Sequence, residues 1–161
     1  FPISIKLVVS NNKNANGLFF AKKNSIPFLI INTEKSNYES LILLHLKKHK
    51  ISLICLAGYM KILSKKFLNI YRKKIINIHP SLLPKFKGLN TFRRVIKKGE
   101  KKTGCTVHYV NEKLDGGKII TQKCFYINSE DDENTLQNKT QKLEYIAFPE
   151  AIIKIFRNIN Y

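Results

Sequence analysis

Asn77 and His79 stand two residues apart at the end of an apolar run, residues 75–78, and Asp115 lies in Leu114-Asp115-Gly116-Gly117. Amide, imidazole and carboxylate are the three group types needed to move an acyl group onto an amine. In a strand, residues two apart point to the same face. Asn77 and His79 can therefore look into one pocket at the strand's carboxyl end. Pro80 has no N–H to donate and ends the strand there.

Each other candidate has a plainer reading beside it. His45 and His49 are four apart on one face of a lysine-rich helical pattern, with no acidic or thiol ligand nearby, and read as surface histidines. His108 shares a strand face with Thr106 and Val110 and reads as structural, with a place in the cleft as its alternative. Asp115 alone would be a turn residue, because Asp-Gly-Gly is a turn sequence by itself. Gly58, in Leu56-Ala57-Gly58-Tyr59-Met60, is either a turn glycine or the floor of a ligand site. Gly58 and His79 both follow strands, and open α/β sheets bind ligands beyond the carboxyl ends of their strands. Cys55, Cys105 and Cys124 are far apart in apolar contexts without CxxC spacing, which argues against zinc. Cys55 reads as buried and inert. There is no G-x-G-x-x-G or Walker loop to support those modes of nucleotide binding.

The elements that must position these groups alternate along the first half. Residues 3–10, 27–31, 51–56 and 75–79 read as buried strands, and residues 17–24, 36–48 and 64–71 as helices between them. Ser36 and Glu39 make a capping-box pattern, and Ser64 is a good N-cap. This alternation argues for a parallel sheet with helices on both faces. The second half differs. Residues 92–98 read as a short helix closed by Gly99, and residues 104–110 and 118–127 as a β-hairpin around the turn-rich stretch 111–117. Residues 131–159 read as a long helix with acidic residues in its first turn, kinked or restarted at Pro149.

At 161 residues the chain suits one domain, residues 1–161, and can bury a real core. Hydrophobic content of 43% and charged content of 25% suit a soluble globular protein. No apolar stretch approaches the ~20 residues of a membrane span. The net charge of +18 suggests nucleic acid at first sight. The basic residues are scattered, mostly lysine, and accompanied by abundant asparagine and isoleucine. A solvated basic surface is the stronger reading, and it would still attract phosphate- and carboxylate-bearing substrates. Three cysteines, an odd count, suit a reducing cytoplasm.

Several stretches together resemble the phosphoribosylglycinamide formyltransferases, folate-dependent enzymes of purine synthesis. They are Ser10-Asn11, Leu56-Ala57-Gly58-Tyr59-Met60-Lys61-Ile62-Leu63-Ser64, residues 77–84, Lys85-Phe86-Lys87-Gly88-Leu89-Asn90-Thr91, residues 104–110 and residues 114–117. The Asn-x-His-Pro-Ser-Leu-Leu-Pro block is shared with methionyl-tRNA formyltransferases and formyltetrahydrofolate hydrolases. Gly88-Leu89-Asn90-Thr91 is closer to the purine enzyme. The resemblance implies a Rossmann-like α/β formyltransferase fold, with a mostly parallel sheet and a β-hairpin in the C-terminal half. It also implies that the family's first strand and phosphate-cradling loop precede the point where this chain starts. A poor or inactive enzyme is the corresponding expectation for the chain as it stands.

Carried over residue by residue, the resemblance makes His79 a general acid, Asn77 an oxyanion partner and Asp115 the group that holds the histidine. It places 10-formyltetrahydrofolate against Met60, Lys61, Ile62 and Leu63, with Asn77 and Asn111, Glu112, Lys113 and Leu114. Gln141, Lys142, Leu143 and Glu144 would touch the glycinamide substrate. It requires no metal, and it implies small-molecule partners, a monomer or homodimer, and a cis peptide between Leu83 and Pro84. The alternatives are a formyltetrahydrofolate hydrolase, a methionyl-tRNA formyltransferase-like enzyme, or an inactive relic that binds folate or RNA.

Overall fold

The computed structural model describes residues 3–157. The elements run β1 (Val8–Ser10), α1 (Asn16–Lys23), β2 (Phe28–Ile30), α2 (Tyr38–Lys48), β3 (Leu53–Leu56), α3 (Lys65–Ile70), β4 (Lys74–His79), α4 (Thr91–Lys97), β5 (Lys102–Tyr109), β6 (Ile119–Tyr126) and α5 (Glu133–Arg157). They form two compact units. One runs to Ser52 and takes in Lys65–Arg72; the other comprises Leu53–Ser64 and the chain from Lys73 onward.

In the first unit β1 and β2 pair in parallel, with Val8 opposite Phe28 and Ser10 opposite Ile30. The ladder is shorter than the apolar run that suggested it. Val9, Phe28 and Ile30 are exposed rather than buried, because a two-stranded sheet covers little of its own surface. Helix α2 starts at Tyr38 with Asn37 as N-cap and no side-chain cap bond. That start puts Glu39 at the second helical position, one short of what the Ser36–Glu39 capping box needs. Phe67 and Tyr71 are buried, and the Tyr71 hydroxyl donates to the Ile51 carbonyl at 3.4 Å.

The second unit holds a four-stranded sheet in the order β3-β4-β5-β6. β3 and β4 are parallel, while β4–β5 and β5–β6 are antiparallel. The alternating strand–helix half thus supplies the parallel pairs, and the hairpin supplies the antiparallel ones. β4 is an inner strand with ladders on both sides, so its backbone is fixed from both edges. Ile76, Cys105 and Val107 from the sheet meet Ala147, Ala151 and Ile155 of α5 in the buried core. Alanines four apart let the helix lie close to the strands, and a buried Ile or Val contributes about 1.5–3 kcal/mol. Helix α5 runs through Pro149 as one element, so of the two expected outcomes there, a kink or a restart, the restart does not occur. The expected helix end at residue 159 lies outside the described residues. Gly99, with φ +65°, follows the C-cap of α4, as its left-handed conformation requires. Cys55 departs from expectation: it is exposed, because β3 is a sheet edge, although desolvation still pushes its thiol up to about 11. No helix among the described residues is long and apolar enough to cross a membrane.

Candidate active site

β4 delivers Asn77 and His79 to one face, and the antiparallel register sets His108 opposite Asn77 and Thr106 opposite His79. His79 is buried. Its Nε2 lies 2.9 Å from the Phe86 carbonyl oxygen, and its Nδ1 lies 3.3 Å from Asp115 Oδ2. A carbonyl can only accept, so Nε2 carries a proton. The carboxylate faces Nδ1, so an N–H at that nitrogen also has an acceptor. Asp115, left-handed at φ +44°, also accepts the Gly88 N–H at 2.8 Å through Oδ2. The turn that was its plain reading is real, and it aims the carboxylate at three neighbours: His79, the Gly88 N–H and His108, whose Nε2 lies 3.6 Å from Oδ1.

His108 is 2% exposed. Burial lowers its pKa from the ordinary histidine value, outweighing its bond to the Tyr109 carbonyl and the nearby Asp115 charge, which act the other way. Its Nδ1–H donates to the Tyr109 carbonyl at 2.8 Å, which leaves Nε2 as an acceptor. The Asn77 Nδ2 amide lies 3.4 Å from that acceptor. One amide hydrogen of Asn77 is thereby directed to His108, and the other is left for the cavity. The structural reading of His108 was too narrow. The missing signal was cross-strand pairing, which places Asn77 and His108 side by side once the antiparallel register is known.

The loop after His79 is locked from β5 and β6. Thr106 is fully buried; its Oγ1 donates to the Ser81 carbonyl at 2.6 Å and accepts the Leu83 N–H at 3.0 Å. Gln122 Nε2 donates to the Leu83 carbonyl at 2.9 Å and to Thr106 Oγ1 at 2.8 Å. The Leu83–Pro84 peptide is cis.

These groups line a cavity of about 590 Å³, whose lining residues all belong to the second unit. Met60, Ile62, Leu89 and Leu114 give it an exposed apolar rim. Lys61, Leu63, Asn111 and Lys113 also line it, as does Gly58, whereas Glu112 does not. From α5 come Gln141 and Glu144, together with Glu133, Gln137 and Thr140, which were not anticipated. Lys142 is exposed away from the cavity, and Leu143 packs against the core cluster. The expectation of a continuous stretch of substrate contacts is thus corrected by the helix. At about 100° per residue, positions 142 and 143 turn away and position 144 returns. Desolvation raises the pKa of Glu144. Among the described residues no group of three or more His, Cys, Asp or Glu side chains is arranged to hold a metal ion.

A family model described as Formyl transferase matches residues 2–152. The phosphoribosylglycinamide formyltransferase of Haemophilus influenzae is 43% identical over 159 residues, which cover 96% of this chain and 74% of that protein. The trifunctional purine biosynthetic protein adenosine-3 of Drosophila melanogaster is 41% identical over 92% of this chain, but the chain spans only 11% of that protein's length. The crystal structure of phosphoribosylglycinamide formyltransferase from Bacillus halodurans superposes with a TM-score of 0.90 at 35% identity, covering 96% of this chain and 81% of that one. A match along nearly the whole chain, around an asparagine, a histidine and an aspartate gathered at one cavity, makes this chain a member of the formyl transferase family.

Proposed function

We propose that the protein transfers a formyl group from 10-formyltetrahydrofolate to the amine of 5-phosphoribosylglycinamide, a step of purine synthesis. The observation that carries this reading is the placement of Asn77, His79 and Asp115 on one cavity wall in a chain of this family. In this reading residues 1–161 act as one formyltransferase domain, working on small molecules in the cytoplasm.

The cavity suits the two substrates. Its volume falls in the ~300–1,000 Å³ range of small-molecule sites. The apolar side chains of Met60, Ile62, Leu89 and Leu114 suit a flat aromatic ring, with Lys61, Leu63, Asn111 and Lys113 beside them. The folate cosubstrate supplies an activated formyl carbon. Glu144, on the α5 wall, is partly desolvated, and an amine brought beside it would stabilise its charged form.

The residues' tasks follow from their donors. The free amide hydrogen of Asn77 is a donor for negative charge developing on the formyl oxygen. One such donor contributes about 3–4 kcal/mol to transition-state stabilisation. Nε2–H of His79 stays with the Phe86 carbonyl, so Nδ1 is the nitrogen that can release a proton to the departing folate nitrogen. Asp115 accepts at Nδ1 and so holds the ring in that orientation.

The test is an assay of the purified protein with 10-formyltetrahydrofolate and glycinamide ribonucleotide, reading both the formylated product and free formate. Formylated product that depends on the amine acceptor is expected, at however low a rate. Formate release without acceptor would make the protein a hydrolase, and turnover with neither would overturn the reading.

A further inference from the structure

We infer that Arg94, a solvent-exposed side chain of α4, is a positioning residue that sets the His79–Asp115 pair through the loop 85–90. The inference rests on the catalytic reading above. Both members of the pair are held by backbone groups of this loop: the Phe86 carbonyl accepts from His79 Nε2, and the Gly88 N–H donates to Asp115 Oδ2. The orientation of the reactive Nδ1 therefore depends on where two peptide groups of one short loop stand.

The loop does not hold that shape by local preference. Phe86, Gly88 and Asn90 have φ of +56°, +75° and +54°. Left-handed backbone is cheap at glycine, tolerated at Asn90 and unfavourable at Phe86. Contacts from outside must offset that strain; three side chains donate to the loop's carbonyls, and Lys98 lies 5.8 Å from the centre of the Phe86 ring. Ser81 Oγ donates to the Lys85 carbonyl at 2.6 Å, and Thr91 Oγ1 to the Gly88 carbonyl at 3.1 Å. Arg94 does most: one guanidinium nitrogen donates to the Lys87 carbonyl at 2.5 Å and the Leu89 carbonyl at 3.3 Å, the two carbonyls flanking Gly88. Its guanidinium carbon also lies 5.6 Å from the centre of the Phe86 ring, within cation–π range. The carbonyls of residues 85, 87, 88 and 89 are tied to side chains outside the pair, while the carbonyl of 86 and the N–H of 88 face it. Arg94 alone touches both sides of Gly88 and the side chain of Phe86. Lysine reproduces this set only in part, because it lacks the planar guanidinium that lies against the Phe86 ring while one of its nitrogens reaches both carbonyls.

The experiment compares the whole chain with Arg94→Ala, Arg94→Lys and Arg93→Ala; Arg93 is an exposed neighbour on the same helix with no part in the loop contacts described. Two readouts are taken: kcat and KM for formyl transfer, and the ¹⁵N imidazole signals of His79 through a pH titration. Arg94→Ala should lower kcat by about tenfold with KM changed less than about twofold, as expected when only transition-state positioning is lost. The His79 signals should shift, Arg94→Lys should fall between Arg94→Ala and the parent, and Arg93→Ala should match the parent. If Arg94→Ala does not fold, as judged by circular dichroism, the same pattern is required of Arg94→Lys. Unshifted His79 signals, or an equal loss of kcat in Arg93→Ala, would overturn the inference. The imidazole signals report on the clamp even in a protein without formyl transfer, so failure of the clamp and failure of the proposed activity are separable.

Discussion

Two histidines face one aspartate, and their surroundings give them opposite tasks. His79 meets an acceptor at each nitrogen, whereas His108 donates from Nδ1 and keeps Nε2 as an acceptor near Asn77. Replacing Asp115 with asparagine keeps the size of the side chain but removes the charge that faces His79 Nδ1. In steady-state kinetics Asp115→Asn should lower kcat by about 10²-fold or more while KM changes little. An unchanged kcat would remove Asp115 from the mechanism. His108 makes a different prediction, about stability. Its folded pKa lies below the ordinary 6.5, so an unfolded chain takes up this proton first as pH falls. The stability it contributes is present above the unfolded value and is lost as pH falls through the folded one. Urea denaturation at about pH 7.5 and about pH 5.5 should show a smaller drop in His108→Gln than in the parent. An equal drop would assign the pH dependence to other groups. The two histidines also differ in how far the sequence reveals them. His79 sits in a dense motif, whereas His108 acquires its role only from the β4–β5 register, which a single strand's pattern does not specify.

At the scale of elements, β4 and the hairpin were legible because burial and alternation leave a periodic trace. Strand β4 begins one residue before the expected run and ends at His79, where Pro80 stops it. The start of α2 was not legible, and at Pro149 the sequence left a kink and a restart both open, because helix limits depend on tertiary contacts more than on propensity. The loop after β4 was recognised as chemistry-bearing, but its fastenings on β5 and β6 were not. Thr106 is the central one. Its hydroxyl serves the Ser81 carbonyl, the Leu83 N–H and Gln122, all without help from solvent. Thr106→Val keeps the shape and removes every one of these partners. Leaving buried polar groups unpaired costs about 1–3 kcal/mol each, so a loss of about 2–4 kcal/mol is expected in denaturant titration. A loss under about 0.5 kcal/mol would mean that the loop finds other partners. Gly117 sets a second constraint, since a Cβ there would run into the Tyr109 carbonyl oxygen. Gly117→Ala must displace the start of β6 relative to β5 and should lower thermal stability, whereas Gly17→Ala, where the space is open, should not lower it by such a clash.

For the molecule as a whole, charge is the dominant unbalanced quantity, with 29 Lys and Arg against 11 Asp and Glu. Composition made this excess legible but could not say where the few carboxylates stand. Asp131 is held below its ordinary pKa by Lys139 and the Asn128 N–H, Asp132 by the Thr135 N–H and hydroxyl, and Glu150 by Lys123 and Lys154. For these three the folded value is depressed. Their stabilisation is present above the unfolded values of 3.8 and 4.5 and is lost as pH falls through the folded ones. Glu144 acts in the opposite sense, because its raised value favours the protonated folded state, but it is one group against three. Stability should therefore fall on acidification below about pH 4, and each carboxylate neutralised there also increases the positive charge. Salt tests which electrostatic effect governs the folded state. Screening weakens exposed ion pairs, each worth about 0–1 kcal/mol, and also weakens repulsion spread over a net charge of +18. With so few carboxylates available for pairing, repulsion is the larger effect. The melting temperature at about pH 7 should rise as sodium chloride goes from about 0.05 to about 0.5 M, and rise more steeply at about pH 4. A melting temperature that falls with salt at neutral pH would show that the ion pairs around Glu150 and Asp131 outweigh the excess of lysine.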